Sequence, residues 1–259
     1  MKRSALGGIG FALTGIALGL YLDGGKINQM LQPTAALIVF GGTFGAVIVQ
    51  FPWPVVIQAI KQLKRVFIGE EDAAAKLIEE LIRYAVKARR HGLVSLDGDL
   101  ESIENPFLRK TLTLAVDGTR SVELRQAMEV EMDTAADRED LLPKVFEAAG
   151  GFAPTVGILG AVIGLIQVMQ RLENINEVGR GIAVAFVATL YGVGIANIVL
   201  LPCAGRIKIL MHRNQVLREM ILEGVLAILD NRNPKALEAK LSVYLSGAIP
   251  KRESKLVAQ

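Results

Sequence analysis

The chain has 259 residues, of which 51% are apolar and only 5% aromatic. This composition is typical of a protein that crosses a membrane several times, and it excludes an ordinary soluble domain. The formal net charge is only +3, and the basic residues lie beside apolar stretches, so the charge does not indicate nucleic-acid binding.

Four apolar stretches are each long enough to cross a hydrocarbon core of about 30 Å as a helix. They cover residues 4–22, 27–60, 148–170 and 181–205, and none contains Asp, Glu, Lys, Arg or His. A charge near the bilayer centre costs at least about 2.5 kcal/mol, so membrane proteins keep one there only where it is needed. The chain therefore either moves no ion or uses a titrating group that a partner supplies.

The basic residues predict the orientation. They follow or precede the apolar stretches on one side of the membrane: Lys2, Arg3, Lys61, Lys64, Arg65, Arg206, Lys208 and Arg213. By the positive-inside rule, both termini and the middle of the chain are cytoplasmic, and the two short connections face outward. We therefore predict an all-α membrane protein with four spans in two pairs.

The predicted organisation has four parts. Spans 1 and 2, in residues 4–60, are expected to face lipid. Residues 61–147 form a cytoplasmic helical domain, spans 3 and 4 lie in 148–205, and cytoplasmic helices with a tail occupy 206–259. The first pair is rich in glycine and almost devoid of polar groups. The second pair carries polar residues and prolines, which favour helix contacts or water over lipid, so it is expected to line the functional interior.

The cytoplasmic segments show helical patterns. Acids at 69–72 predict a helix start, and a helical stripe over 73–90 ends at a basic turn followed by Gly92. Asp97-Gly98-Asp99 is interpreted as a loop, and Asn105-Pro106 predicts the start of another helix, which ends near Gly118. Further helices are predicted at 121–144, with charged residues on a solvated face, and at 207–229 and 235–245. The tail from about 251 is predicted to be disordered.

Small residues form one face of the third span, where Gly157 pairs with Ala161 and Gly160 with Gly164. Such a face allows either a partner helix or another span of this chain to approach closely. Thr189 lies near the middle of the fourth span. Its hydroxyl can bond back to its own helix, or it can line an ion path beside a carboxylate of a partner.

Two prolines lie near the cytoplasmic ends of these spans. Pro154 and Pro202 each leave the carbonyl four residues earlier without its helical donor, which permits a kink. Their matching depth on neighbouring helices predicts a hinge or gate.

Four segments carry a resemblance to a known family: residues 88–97, 105–109, 153–157 and 188–192. Together with the order of two spans, a large cytoplasmic block, two spans and a tail, they resemble the MotA/PomA family of flagellar motor stator proteins. The resemblance extends over about residues 6–245.

The resemblance implies a torque-generating ion channel in the bacterial inner membrane. Five chains of this family are expected around two B-type stator subunits, each of which has a single membrane helix bearing an ion-binding aspartate. Pro154 and Pro202 match the prolines that couple ion passage to motion, and Thr189 matches the hydroxyl beside the aspartate. Arg89 and Asp97 match the charged positions that meet the rotor switch-complex protein.

The sequence departs from the family at several of these positions. The family more often has glutamate at position 97, and the acids that follow are replaced here by Gly98 and Leu100, so the rotor-facing charge pattern is thinner and Arg90 can share the role of Arg89. Ala161 and Ala188 occupy positions where resembling sodium-driven members have threonine.

The ion is inferred from these two alanines. A hard cation needs oxygen ligands, which Ala161 does not offer, so a proton is expected rather than sodium. We assign Thr189, Ala161, Ala188 and Gly157 to the ion path. No cofactor is expected, and two histidines and one cysteine far apart give no metal-site spacing.

Three other classes are less well matched. ExbB/TolQ-like proton-driven transducers generally have three spans, with the polar loop after the first. Secondary transporters usually need more helices and a midplane substrate site. An enzyme is disfavoured because His91 and His212 have no partnered nucleophile in the sequence. We therefore predict a stator subunit that converts the ion-motive force into torque.

Overall fold

The computed structural model describes residues 2–25, 27–68, 73–170, 172–173 and 175–246, and within these residues it contains helices and no strand. The predicted all-helical class is confirmed. Nine α-helices occur in this part of the chain: α1 (Lys2–Leu22), α2 (Pro33–Gln50), α3 (Trp53–Ile68), α4 (Ala73–His91), α5 (Pro106–Val116), α6 (Ser121–Met169), α7 (Ile175–Ile195), α8 (Leu201–Leu229) and α9 (Pro234–Ser246). Two 3-10 helices (Ile27–Met30 and Leu93–Ser102) and a π turn between α7 and α8 (Ala196–Leu200) complete the order.

Three helical segments are long and apolar enough to cross a membrane, judged by length and composition among the described residues. They are Pro33–Gln50, a window within Ser121–Met169 and one within Glu177–Leu229. A shorter apolar helix, Gly7–Leu22, lies in α1. The four-span arrangement therefore stays a prediction, with α1 as the span that length and composition support least.

The apolar stretch 27–60 is not one continuous helix. It contains α2 and the first half of α3, which are separated at Phe51 and Pro52. Phe51 has an extended backbone (φ −121°, ψ 140°), because the ring of a following proline disfavours the helical region. Pro54 then falls in the first turn of α3, where a missing N–H is tolerated.

The charged helix predicted at 121–144 and the third apolar stretch form a single helix, α6, which has Pro143 and Pro154 in its interior. The predicted loop at Asp97-Gly98-Asp99 lies instead inside the 3-10 helix Leu93–Ser102. The helix start at 69–72 and the tail from 251 lie outside the described residues.

Other predicted boundaries are confirmed. Gly92 ends α4 with φ +80°, a conformation that glycine adopts without a steric penalty. The side chain of Asn105 accepts hydrogen bonds from the backbone N–H groups of Phe107 (3.0 Å) and Leu108 (3.1 Å), which caps α5 at its predicted start.

The chain divides into two compact units. The first lies within Met1–Gly69 and Glu139–Ile209, and the second within Glu70–Arg138 and Leu210–Gln259. The core of the second unit is built by apolar side chains of α4, α5, α6, α8 and α9. Its largest fully buried members include Tyr84, Leu81, Leu112, Leu124, Met128, Met220, Ile221 and Leu241.

Candidate ion-path and coupling site

Three glycines of α6 pack against α7 in the first unit. A Cβ placed on Gly157 would lie 2.9 Å from the carbonyl oxygen of Ala188 and 3.3 Å from the Cα of Thr189. A Cβ on Gly160 would lie 2.9 Å from the Cβ of Ala188, and one on Gly164 would lie 3.1 Å from that of Ala185. In this structure the small-residue face is therefore occupied by the chain's own α7, the second of the two alternatives that the sequence left open.

Ala188 is enclosed by its own chain. It is fully buried and belongs to an apolar cluster with Val39 and Val187, and the Gly160 site meets both its methyl group and the side chain of Ile38. The assignment of Ala188 to an ion path stays a prediction. Thr189 and Ala161 are half-buried and therefore more accessible to an ion than Ala188 is.

Thr189 has a half-buried side chain whose hydroxyl is only weakly held. Its Oγ1 lies 3.4 Å from the carbonyl oxygen of Ala185, whereas a good hydroxyl hydrogen bond measures about 2.7 Å. The hydroxyl therefore forms at most a weak hydrogen bond to the backbone of its own helix. It can reorient toward a group that a partner presents.

Tyr191 is a connecting residue whose role the sequence pattern does not reveal. Its hydroxyl accepts a hydrogen bond from the backbone N–H of Gln32 (3.1 Å) and donates to the carbonyl of Met30. Its ring stacks on Phe40 with 6.2 Å between the ring centroids. These contacts join α7 to the segment that leads into α2, two residues after Thr189.

The backbones of α6 and α7 approach closely beside Pro154. A Cβ on Gly192 would collide with the carbonyl of Ala153 and would lie 3.1 Å from the Cα of Gly157. Pro154 itself is half-buried in the interior of α6, and it has no N–H to donate to the carbonyl of Gly150. The structure therefore places this proline in the segment of α6 that contacts Thr189.

Pro202 is exposed and is the second residue of α8, directly after the π turn Ala196–Leu200. The backbone N–H of Leu201 donates to the carbonyl of Ala196, five residues back, so the helical hydrogen-bond register changes immediately before the proline. Such π turns frequently occur at functional sites. The sequence carries no signal for this one.

The three residues assigned to the rotor surface are all exposed. Arg89 and Arg90 lie in the last turn of α4, and Asp97 lies in the following 3-10 helix. None of the three forms an ion pair with another described residue. Asp99, in contrast, is held by the Lys87 ammonium at 2.6 Å.

A charged cluster ties three helices of the second unit together. Glu223 of α8 accepts hydrogen bonds from Lys240 of α9 and from Arg125 of α6 (2.7 Å). The Lys240 ammonium, followed by the Arg125 guanidinium, holds the pKa of the Glu223 carboxyl below its usual range against the opposing effect of burial. Within the described part of the chain, no three His, Cys, Asp or Glu side chains are grouped as a metal site requires.

Two family models match the chain. Residues 6–92 match the motility protein A N-terminal model, and residues 99–220 match the model of the MotA/TolQ/ExbB proton channel family. The first of these matches covers the two apolar stretches before the middle of the chain and favours the stator over the ExbB/TolQ alternative.

Similar proteins and structures give a consistent result. Motility protein A of Bacillus subtilis (strain 168) is 37% identical over 249 residues, which are 95% of this chain and 91% of that protein. A chain of C. jejuni MotAB has a TM-score of 0.90 at 30% identity, with 98% of this chain and 100% of that chain covered. A chain of the flagellar MotAB stator complex from Bacillus subtilis has a TM-score of 0.84 at 36% identity, with 93% and 95% covered.

The identity extends over nearly the full length of the chain, and the helical fold matches that of the solved relatives. The chain belongs to the motility protein A (MotA) family of flagellar stator subunits.

Proposed function

We propose that this chain is the MotA-type subunit of a flagellar stator, which forms an ion channel with a B-type subunit and converts the ion-motive force into torque on the rotor. The observation that carries the proposal is that a chain of this family has no acid or base in any of its four apolar stretches. An ion-binding carboxylate must then come from elsewhere, and a membrane helix of the B-type subunit with one aspartate would supply it.

The proposed topology has four spans in the bacterial inner membrane, with both termini and residues 61–147 and 206–259 in the cytoplasm. At 1.5 Å per residue, the uncharged part of α1, residues 4–22, extends about 28 Å, which is close to the hydrocarbon thickness of about 30 Å. The flanking basic residues support this orientation.

The proposed assembly contains five copies of this chain around two B-type subunits. In the described structure, α6 and α7 each have an apolar side that their own chain leaves exposed, and such surfaces are available for partner helices, neighbouring copies and lipid. The exposed residues include Ile158, Leu159, Val162, Leu165 and Ile166 of α6, and Phe186, Leu190 and Val193 of α7.

In the proposed mechanism, a proton binds the aspartate of the B-type subunit beside Thr189 and neutralises a charge that the membrane disfavours. The neutral and ionised states fit the surrounding helices of this chain differently, which shifts these helices relative to the B-type helix. Pro154 and Pro202 allow the helices to bend, and Arg89, Arg90 and Asp97 act on charges of the rotor switch-complex protein.

The proposal is tested in a flagellated host that lacks its own stator genes. Expression of this chain with its B-type partner should restore rotation, whereas either chain by itself should not. In liposomes, proton uptake should require both chains. Brisk cation uptake by this chain alone would contradict the proposal, and rotation speed that follows external sodium at constant pH would overturn the choice of the proton.

A further inference from the structure

Gly150 of α6 lies at the point where Pro154 weakens that helix. Pro154 has no N–H, so the carbonyl of Gly150 is the one that loses its helical donor. Pro202 is the second residue of α8 and directly follows Leu201, and together with the π turn Ala196–Leu200 it interrupts the regular hydrogen bonding where α7 passes into α8. A bend at Pro154 should therefore displace Gly150, and a bend at Pro202 should displace Leu201.

These two residues are in direct contact within the first unit. A Cβ placed on Gly150 would lie 2.7 Å from Cδ2 and 2.8 Å from Cγ of Leu201, and 3.7 Å from the Cβ of Leu200. Carbon atoms in favourable contact lie about 3.5–4.0 Å apart. The leucine side chain therefore occupies the place where any larger residue at position 150 would put its first carbon.

The next residue, Gly151, does not contact α8, so the contact with Leu201 is specific to Gly150. A Cβ placed on Gly151 would meet nothing within 4 Å, and Gly151 is exposed while Gly150 is buried. The two glycines are adjacent on the same helix and differ in whether α8 packs on them.

We propose that the Leu201 side chain, seated on Gly150, couples the bend at Pro154 to the bend at Pro202, so that the two helices move together. This inference rests on the proposed function of the chain. Leu201 is itself 41% exposed, but its side chain lies against the buried Gly150, and atoms in close contact transmit displacements because they are hardly compressible. Gly150 and Leu201 are then positioning residues, which act through the two prolines and touch no ion.

The test uses the chain with its B-type partner in the stator-deficient host, with three variants: Gly150→Ala, the control Gly151→Ala, and Leu201→Ala. The readout is the increase in rotation speed per assembled stator, measured from stepwise changes on a rotating cell, together with co-purification of the B-type partner. A purely structural role would change the number of stators and the amount of co-purified partner, and would leave the increment unchanged.

We expect Gly151→Ala to match the wild type. Because the added methyl must push the Leu201 side chain off its place on α6, the Gly150→Ala increment should fall by about twofold or more while the B-type partner still co-purifies. Leu201→Ala should also lower the increment because it removes the contact, and the double variant Gly150→Ala with Leu201→Ala should be no lower than Leu201→Ala, since the added methyl then meets no leucine side chain.

Equal increments for Gly150→Ala and Gly151→Ala would overturn the coupling. If Gly150→Ala does not reach the membrane, Leu201→Ala decides alone, because it removes the contact without adding an atom, and an unchanged increment would again refute the inference. Failure of the wild-type chain to restore rotation would instead contradict the proposed function itself.

Discussion

The hydroxyl of Tyr191 offers a measurable test of how α7 is held. Replacement of Tyr191 by Phe keeps the ring that stacks on Phe40 and removes only the hydroxyl, which joins the N–H of Gln32 and the carbonyl of Met30. Gln32 is the N-cap of α2, and no side chain caps that helix end. The substitution therefore leaves two backbone groups without this partner.

The magnitude follows from two limits. Hydrogen bonds between membrane helices contribute on average about 0.6 kcal/mol each. A buried polar group that is left unsatisfied costs about 1–3 kcal/mol. Because the N–H of Gln32 and the carbonyl of Met30 are only half-buried and water can replace part of the lost contact, we expect a loss of about 1 kcal/mol in the free energy of unfolding.

The assay is equilibrium unfolding of the purified protein in mixed detergent micelles, with Tyr21→Phe as the control. Tyr21 is 77% exposed on α1, so removal of its hydroxyl should change the free energy of unfolding by less than about 0.5 kcal/mol. If the two variants unfold at the same denaturant concentration, the hydroxyl of Tyr191 does not hold α2 and α7 together as described.

Three further predictions concern other sites. Gly192→Ala should destabilise the chain by about 1–3 kcal/mol because its methyl collides with a backbone carbonyl of α6, whereas Gly194→Ala, which meets nothing within 4 Å, should be close to neutral in the same unfolding assay. Thr189→Ala should reduce rotation speed per stator without a loss of membrane insertion, and Thr189→Ser should retain the speed; normal rotation of the alanine variant would contradict the assigned role. Because the folded-state pKa of Glu223 is lowered, its stabilising contribution is present above its unfolded pKa of about 4.3 and is lost as pH falls through the folded value. The thermal midpoint of Glu223→Gln should therefore lie below that of the wild type at pH 7, and the difference should narrow below about pH 4.

Local chemistry explains which elements could be predicted from the sequence. The apolar stripe of α4 and its stop at Gly92, and the cap at Asn105, depend on neighbours within one or two helical turns. The helix break at Phe51 is local as well, because it is caused by the following residue, Pro52. A long apolar stretch masks that signal, because the whole stretch is also consistent with one span.

The remaining features depend on contacts that are distant in the sequence. The continuity of α6 through Pro143, a buried residue, is not predicted by helix propensity, which disfavours proline in a helix interior. The burial of Ala188 results from the approach of α2 and α6 from two sides. The sequence identifies Thr189 and both prolines as candidates, but not Tyr191 or the contact of Leu201 with Gly150.

The contact between Gly157 and Gly192 limits how the distance between α6 and α7 can vary. Neither residue has a rotamer to adjust, and no smaller residue exists, so this crossing cannot be widened or tightened in small steps by substitution. The distance between α6 and α7 at this crossing is therefore already at its minimum, and any substitution here can only increase it.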